Sequence, residues 1–128
     1  NVTLPNVGTL VGYTIESDSI NHTQPLPITL VWQAENVTDD YVVFVQLIGA
    51  DGRVIAQSDS IPGQGARPTQ GWRTGEYITD AHVLQFNENA APGTATLIAG
   101  IYDPDTFERI QITSGVDAIT LATDVVVR

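Results

Sequence analysis

The sequence predicts an all-β fold: an immunoglobulin-like antiparallel β-sandwich of about seven to nine strands. Three observations carry this expectation. Short runs rich in Val, Ile, Thr, Tyr and Phe recur about every ten residues, with Gly, Pro, Asn and Asp clustered between them. In Ile28–Glu35, Ile28, Leu30, Trp32 and Ala34 fall on one face, opposite Thr29, Val31, Gln33 and Glu35. One apolar face and one largely wet face is the pattern of an antiparallel sheet. Lastly, Asp51-Gly52 separates two β-type runs, a strong hairpin signal.

The elements follow in order. Residues 1–8 read as a linker remnant ahead of a first strand over Thr9–Ile15. Ser17–Pro27 is a polar connection, and Ile28–Glu35 is the alternating strand. After a turn at Asn36–Asp40, Tyr41–Ile48 is apolar on both faces, as in a central strand. The Asp51-Gly52 reversal leads to Val54–Ser58. Ile61–Gly75 holds Pro62, Gly63, Gly65, Pro68, Gly71 and Gly75 and is the longest irregular stretch. An irregular segment of that length is either a functional loop or an ordered cover. Strands are then expected at Tyr77–Phe86, Thr94–Tyr102, Phe107–Thr113 and Ile119–Val127. Local rules give the last no neighbour, so it is expected to pair with a strand distant in sequence. Ile28–Glu35, Tyr41–Ile48 and Thr94–Tyr102 should lie at the centre. All of 1–128 reads as a single domain.

Composition narrows the function classes. The 128 residues are 42% hydrophobic, with mean hydropathy +0.03, in the globular range. Net charge is −10, so nucleic acid and anionic lipid are unfavourable partners, and the charge serves solubility. Cysteine is absent, which excludes disulfides and thiol chemistry. Methionine is also absent, which suggests a mature fragment or an excised domain. Lysine is missing too: all five basic side chains are Arg. No run reaches the roughly 18 apolar residues of a membrane span, so direct membrane insertion is not expected.

No motif spells out a reaction. None of the serines lies in a Gly-x-Ser-x-Gly elbow. Asp80 and His82 share one face of their strand and could orient a general base, but a cross-strand polar pair or a partly buried histidine is the commoner outcome. Two histidines without cysteine do not make a structural zinc site. The acidic turn Asp103-Pro104-Asp105-Thr106 lacks the calcium-loop spacing, and Asx-turn chemistry accounts for it. No metal, cofactor or catalytic residue is therefore assigned. Glu76 and Asp80 are one of many carboxylate pairs that the sequence cannot gather into a cleft. The candidate ligand-binding residues are Trp72, Arg67 and Arg73: an indole flanked by guanidinium groups suits a sugar ring. The commoner outcome is that Trp72 folds back and plugs the end of the sandwich, with Arg73 stacked on it. Trp32 belongs to the core. Asn1, Asn21 and Asn36 open Asn-x-Thr sequons, expected by chance in a Thr-rich chain.

One resemblance runs through almost the whole chain, from about Gly12 to Val127. Its signatures are Gly12-Tyr13-Thr14-Ile15, Leu30-Val31-Trp32-Gln33-Ala34, the stretch 40–59, the Gly/Pro loop 62–76, Ala91-Pro92-Gly93-Thr94, and Gly100–Ile110. In this order they resemble the C-terminal β-sandwich domain of multispanning membrane glycosyltransferase-like proteins of Chloroflexi-type bacteria. Those parents look like the protein mannosyltransferase and aminoarabinose transferase class. Two positions depart from the pattern: Thr106-Phe107 stands where Thr-Gly is usual, and Thr94-Ala95 where Thr-Tyr is usual. The resemblance implies a non-catalytic, extracytoplasmic accessory domain, tethered through a membrane portion outside these residues. Its role would be structural or acceptor-positioning, and its partners the rest of the parent protein and a glycan. A carbohydrate-binding module using the 61–75 loop is the first alternative. An adhesion or peptidase-inhibitor-like sandwich is the second.

Overall fold

The computed structural model describes residues 1–128. Eight strands and no helix make up the fold: β1 (Val2–Leu4), β2 (Gly8–Ile15), β3 (Leu26–Ala34), β4 (Val42–Gly49), β5 (Val54–Ser60), β6 (Tyr77–Phe86), β7 (Gly93–Tyr102) and β8 (Ile119–Val127). All ladders are antiparallel, in the order β1-β2-β3-β6-β5-β4-β7-β8. Strand β6 is the joint of the sandwich. Its residues Tyr77–Leu84 pair with β3, and its last two, Gln85 and Phe86, pair with β5. One layer is therefore β1-β2-β3-β6 and the other β5-β4-β7-β8.

The far side is nearly closed as well. Tyr13 Oη donates to the Leu121 carbonyl at 3.0 Å, and Arg128 N donates to the Ile20 carbonyl at 2.8 Å. These bonds link β2 and its trailing loop to β8, so neither edge is a long open template for aggregation.

Period-two patterning builds the core. Leu26, Ile28, Leu30, Trp32 and Ala34 point inward from β3, and Val43, Val45 and Leu47 from β4. They join one buried cluster with residues from every strand. The three strands expected at the centre are internal: β3 lies between β2 and β6, β4 between β5 and β7, and β7 between β4 and β8.

Three expectations change. Residues 1–8 are not a linker remnant: β1 pairs with β2, and Leu4 and Val7 are buried. Their apolar side chains close the end of the core, which a linker would not do. Phe107–Thr113 is not a strand. Phe107 is in the left-handed region, φ 61°, which breaks extended geometry, and only Arg109 bridges back to Tyr102. Finally, β8 pairs with β7, the strand that precedes it. The segment 103–118 crosses the outer face and returns beside the strand it left. The backbone link of β8 to a distant segment is the single parallel bridge Ile20–Val127, beside the Tyr13 side-chain bond to Leu121.

Candidate functional site

Chemistry-bearing side chains gather in three places: the 61–75 cover, a polar string inside the core, and a shelf on the outer face of the β5-β4-β7 layer.

The cover is ordered. Gly71 N donates to the Val37 carbonyl and Val37 N to the Trp72 carbonyl, which lace the loop to the β3–β4 turn. Thr69 Oγ1 donates to the Asp39 carbonyl at 2.6 Å and accepts from Tyr41 N at 2.8 Å. Trp72 is 2% exposed, and its Nε1 donates to the Arg67 carbonyl at 3.0 Å. Gly8 packs beside the ring: a Cβ there would lie 2.8 Å from the Gln33 carbonyl oxygen, which the β2–β3 pairing forbids, and 3.5 Å from Trp72 Cζ3, an ordinary contact. The indole thus plugs the end of the sandwich and offers no face to a ligand. Arg67 pairs with Glu76 at 2.9 Å, and the same carboxylate accepts Arg73 N at 2.8 Å. Of the plug reading, the buried indole holds. The expected Arg73 stack does not form: the cation–π contact of the chain is Arg109 over Phe44, and Arg73 is exposed. The three candidate residues are neighbours, but they brace a loop.

The polar string begins at Asp80, whose carboxylate accepts three hydrogen bonds. Trp32 Nε1 (3.1 Å) and His82 Nε2 (2.9 Å) donate to Oδ2, and Gly63 N (2.9 Å) donates to Oδ1. The Asp80 and His82 side chains are both fully buried. With Nε2–H given to the carboxylate, Nδ1 of a neutral ring accepts from the Ser58 hydroxyl at 2.8 Å, with Ser60 Oγ at 3.4 Å. Acid, imidazole and hydroxyl thus fall in the order of a serine-nucleophile triad. The likeness ends at access. Five surface clefts exist, and none is lined by Ser58, His82 or Asp80. The only nearby peptide N–H in the string, Gly63 N, is spent on Asp80 rather than free for an oxyanion. The string ties β3, β5, β6 and the start of the cover together, with every buried polar side-chain atom partnered.

The shelf is the part the sequence reading missed. On β4, Phe44 points away from the core; it is 1% exposed yet lies outside the core cluster. What buries it is local. Its β7 partner is Gly100, where a Cβ would lie 2.4 Å from Phe44 Cζ, so only glycine lets the ring lie flat across β7. The Arg109 guanidinium carbon sits 4.3 Å above the ring centroid. Tyr102 lies beside Phe44, centroids 6.1 Å apart, and reaches across β4 to donate its hydroxyl to Asp59 Oδ2 at 2.9 Å. Burial, and then the Asp59 hydrogen bond and charge, push the Tyr102 hydroxyl up from 10.0 to about 12.

Phe107 completes the shelf. The turn before it is held by Asp105 N to Asp103 Oδ1 (2.8 Å) and by Phe107 N to the Asp103 carbonyl (2.7 Å). The acidic turn therefore does what Asx turns do. It leaves Phe107 left-handed, stacked on Tyr102 at 6.1 Å and 29°, and 74% exposed. That conformation costs a bulky side chain on the order of 1–2 kcal/mol. Phe44, Gln46, Asp59, Tyr102, Phe107 and Arg109 line a cleft of about 250 Å³. Two sequence signals pointed here. Tyr41–Ile48 is apolar on both faces, so its outer face needed a cover, and a phenylalanine stands where the turn favours glycine.

No protein-family model matches the chain, and no curated protein sequence does so either.

Proposed function

We propose that this chain is a non-catalytic accessory domain, extracytoplasmic and serving a membrane-bound glycosyltransferase-like parent. It packs on that parent or positions the acceptor. The observation that supports the non-catalytic half is the string, buried at Asp80 and His82 and half-buried at Ser58. The only acid–imidazole–hydroxyl array spends its hydrogen-bonding capacity inside the sandwich, with no cleft leading to it. The parent and the location rest on the resemblance of the strand and turn signatures from Gly12 to Val127. No helix here is long and apolar enough to cross a membrane; on this reading catalysis on a lipid-linked donor belongs to the parent.

The test uses the isolated domain and the parent. The purified domain is incubated with polyprenyl-phosphate-linked and nucleotide-linked sugars and an acceptor peptide, and product is read by mass spectrometry. No transfer is expected, whereas deleting residues 1–128 from the parent should lower acceptor use. Transfer by the isolated domain that Ser58→Ala abolishes would overturn the proposal. A second reading, a carbohydrate-binding module, is favoured by the shelf rather than by the 61–75 loop. A peptidase-inhibitor reading needs a protruding reactive loop, and 61–75 is tied down along its length.

A further inference from the structure

We propose that the shelf is a binding site for one neutral pyranose unit of a glycan. The Phe107 and Tyr102 rings form its platform, and Asp59, Gln46 and Arg109 its hydrogen-bonding edge. The inference goes beyond the accessory-domain reading and holds whether or not the parent is a transferase.

The first argument is cost without a folding return. Phe107 occupies a left-handed backbone position that glycine or asparagine fills with less strain, and 74% of it faces solvent. It is the most exposed large hydrophobic residue of the chain. A strained, exposed aromatic ring contributes little to stability, and such outliers concentrate at ligand sites. The second argument is shape. Phe107 stacks on Tyr102 at 29° from parallel, and Tyr102 lies beside Phe44, which Arg109 caps. An aromatic face of this kind receives the C–H face of a sugar ring. The cleft of about 250 Å³ suits one ring and is too small for a drug-sized molecule.

The third argument is polarity. The edge both accepts and donates. Asp59 Oδ1 and the Gln46 amide have no protein partner, and Asp59 Oδ2 is held by Tyr102. Arg109 has only a long 3.6 Å contact to Asp117 and keeps N–H groups for a ligand. Hydroxyl groups, which donate and accept, match such an edge. Charge selects against the other occupants. Asp59 lines the cleft, and Asp103, Asp105 and Glu108 stand in the turn that carries Phe107, so anions are repelled. Arg109 already covers the Phe44 face, which leaves Phe107 as the open platform. A chain of net charge −10 does not recruit nucleic acid.

The experiment is an amide NMR titration of the ¹⁵N-labelled protein with manno-, gluco- and N-acetylglucosamine tetraoses, each to about ten times the roughly millimolar Kd set by the ligand-efficiency bound for a single ring. The expected result is saturable shifts of the 102–109 amides and the Gln46 side-chain amide with at least one tetraose. Phe107→Gly, which relieves the backbone strain and keeps the fold, should weaken that Kd at least tenfold. Asp59→Asn, which keeps an acceptor, should weaken it less. Three results overturn the proposal: no shift at 102–109 with any tetraose, shifts unchanged in Phe107→Gly, or shifts centred on 61–75. A response of these amides to tetramethylammonium or a proline-rich peptide but to none of the sugars overturns it too. Failure of the accessory-domain reading shows instead as sugar transfer, which this titration does not measure.

Discussion

Replacing Asp80 by Asn tests the buried string at the cost of a single atom. Oδ2 accepts from Trp32 Nε1 and His82 Nε2, and Oδ1 accepts from Gly63 N. An amide keeps one oxygen and exchanges the other for an NH₂ group. With NH₂ on the Oδ2 side it meets the indole N–H, which can only donate. With NH₂ on the Oδ1 side it meets Gly63 N–H. The second arrangement loses only the Gly63 bond and leaves His82 as it is, whereas the first loses the Trp32 bond and also forces His82 into its other tautomer, so the substituted amide is expected in the second. One buried donor facing another costs about 1–3 kcal/mol, and losing the charge weakens the two remaining bonds. The expected total is about 3 kcal/mol, a large part of the roughly 5–15 kcal/mol that holds a domain together. Urea unfolding followed by tryptophan fluorescence should show the midpoint falling by about 1–2 M at unchanged m, for a slope of about 2 kcal/mol/M. Hydrogen exchange should single out Gly63, whose amide loses its acceptor. A second arm separates structural from chemical roles. Trp32→Phe removes the indole donor, and in combination with Asp80→Asn should give a coupling above about 0.5 kcal/mol. If Asp80→Asn leaves stability within about 0.5 kcal/mol of the unsubstituted domain, with Gly63 exchange unaltered, the string is refuted as a structural tie.

Three further outcomes follow from the geometry. Trp72→Ala empties the end plug and should cost about 3–5 kcal/mol by chemical denaturation, with limited proteolysis moving into 61–75. Trp72→Phe, which loses the 3.0 Å bond to the Arg67 carbonyl but keeps most of the bulk, should cost far less. Gly100→Ala drives a methyl to 2.4 Å from Phe44 Cζ and should cost about 1–3 kcal/mol in thermal unfolding, with Phe44→Leu recovering part of it. Tyr102 has a folded pKa of about 12 against 10.0, so the folded state holds the phenolic proton longer than the unfolded state. Its stabilising contribution is complete below pH 10 and disappears as pH rises from 10 toward 12. Absorbance titration near 295 nm should lose its latest-ionising component in Tyr102→Phe, and Asp59→Asn should move that component to lower pH.

How much of this was legible in the sequence depended on the range of the interactions. Leu30 and Trp32 announce their inward face by alternation with Val31 and Gln33, and Asp51-Gly52 announces its hairpin, because those signals lie within a few residues. Residues 1–8 misled because a three-residue strand is too short to alternate visibly, although Leu4 and Val7 are core residues. Phe107–Thr113 misled for a different reason. Its β-type composition is real, but a single left-handed residue at its start turns it across the sheet instead of along it. Trp72 was recognised as either platform or plug. What decided it was Val37, a residue far away in sequence whose backbone bonds Gly71 and Trp72 and holds the loop over the end of the core. The shelf could not be assembled from its two signals because it joins β4, β5, β7 and the segment after β7, and no spacing rule connects Phe44, Asp59, Gly100 and Arg109.

The two polar clusters then part company on what their hydrogen-bonding capacity is used for. In the interior, Asp80 is surrounded by three donors, His82 is bonded through both ring nitrogens, and no cleft reaches either. The bonds of Asp80 to Trp32, His82 and Gly63 are buried, and breaking any of them leaves a group unpaired. On the shelf the balance is reversed. Tyr102 is committed to Asp59, but Oδ1 of that carboxylate, the Gln46 amide and most of the Arg109 fork face an open cleft beside an aromatic ring held out in solvent. A ligand there replaces water and breaks no protein hydrogen bond. By that criterion, a triad-like geometry marks the part of this sandwich built to hold still, and the strained Phe107 turn marks the part left free to bind.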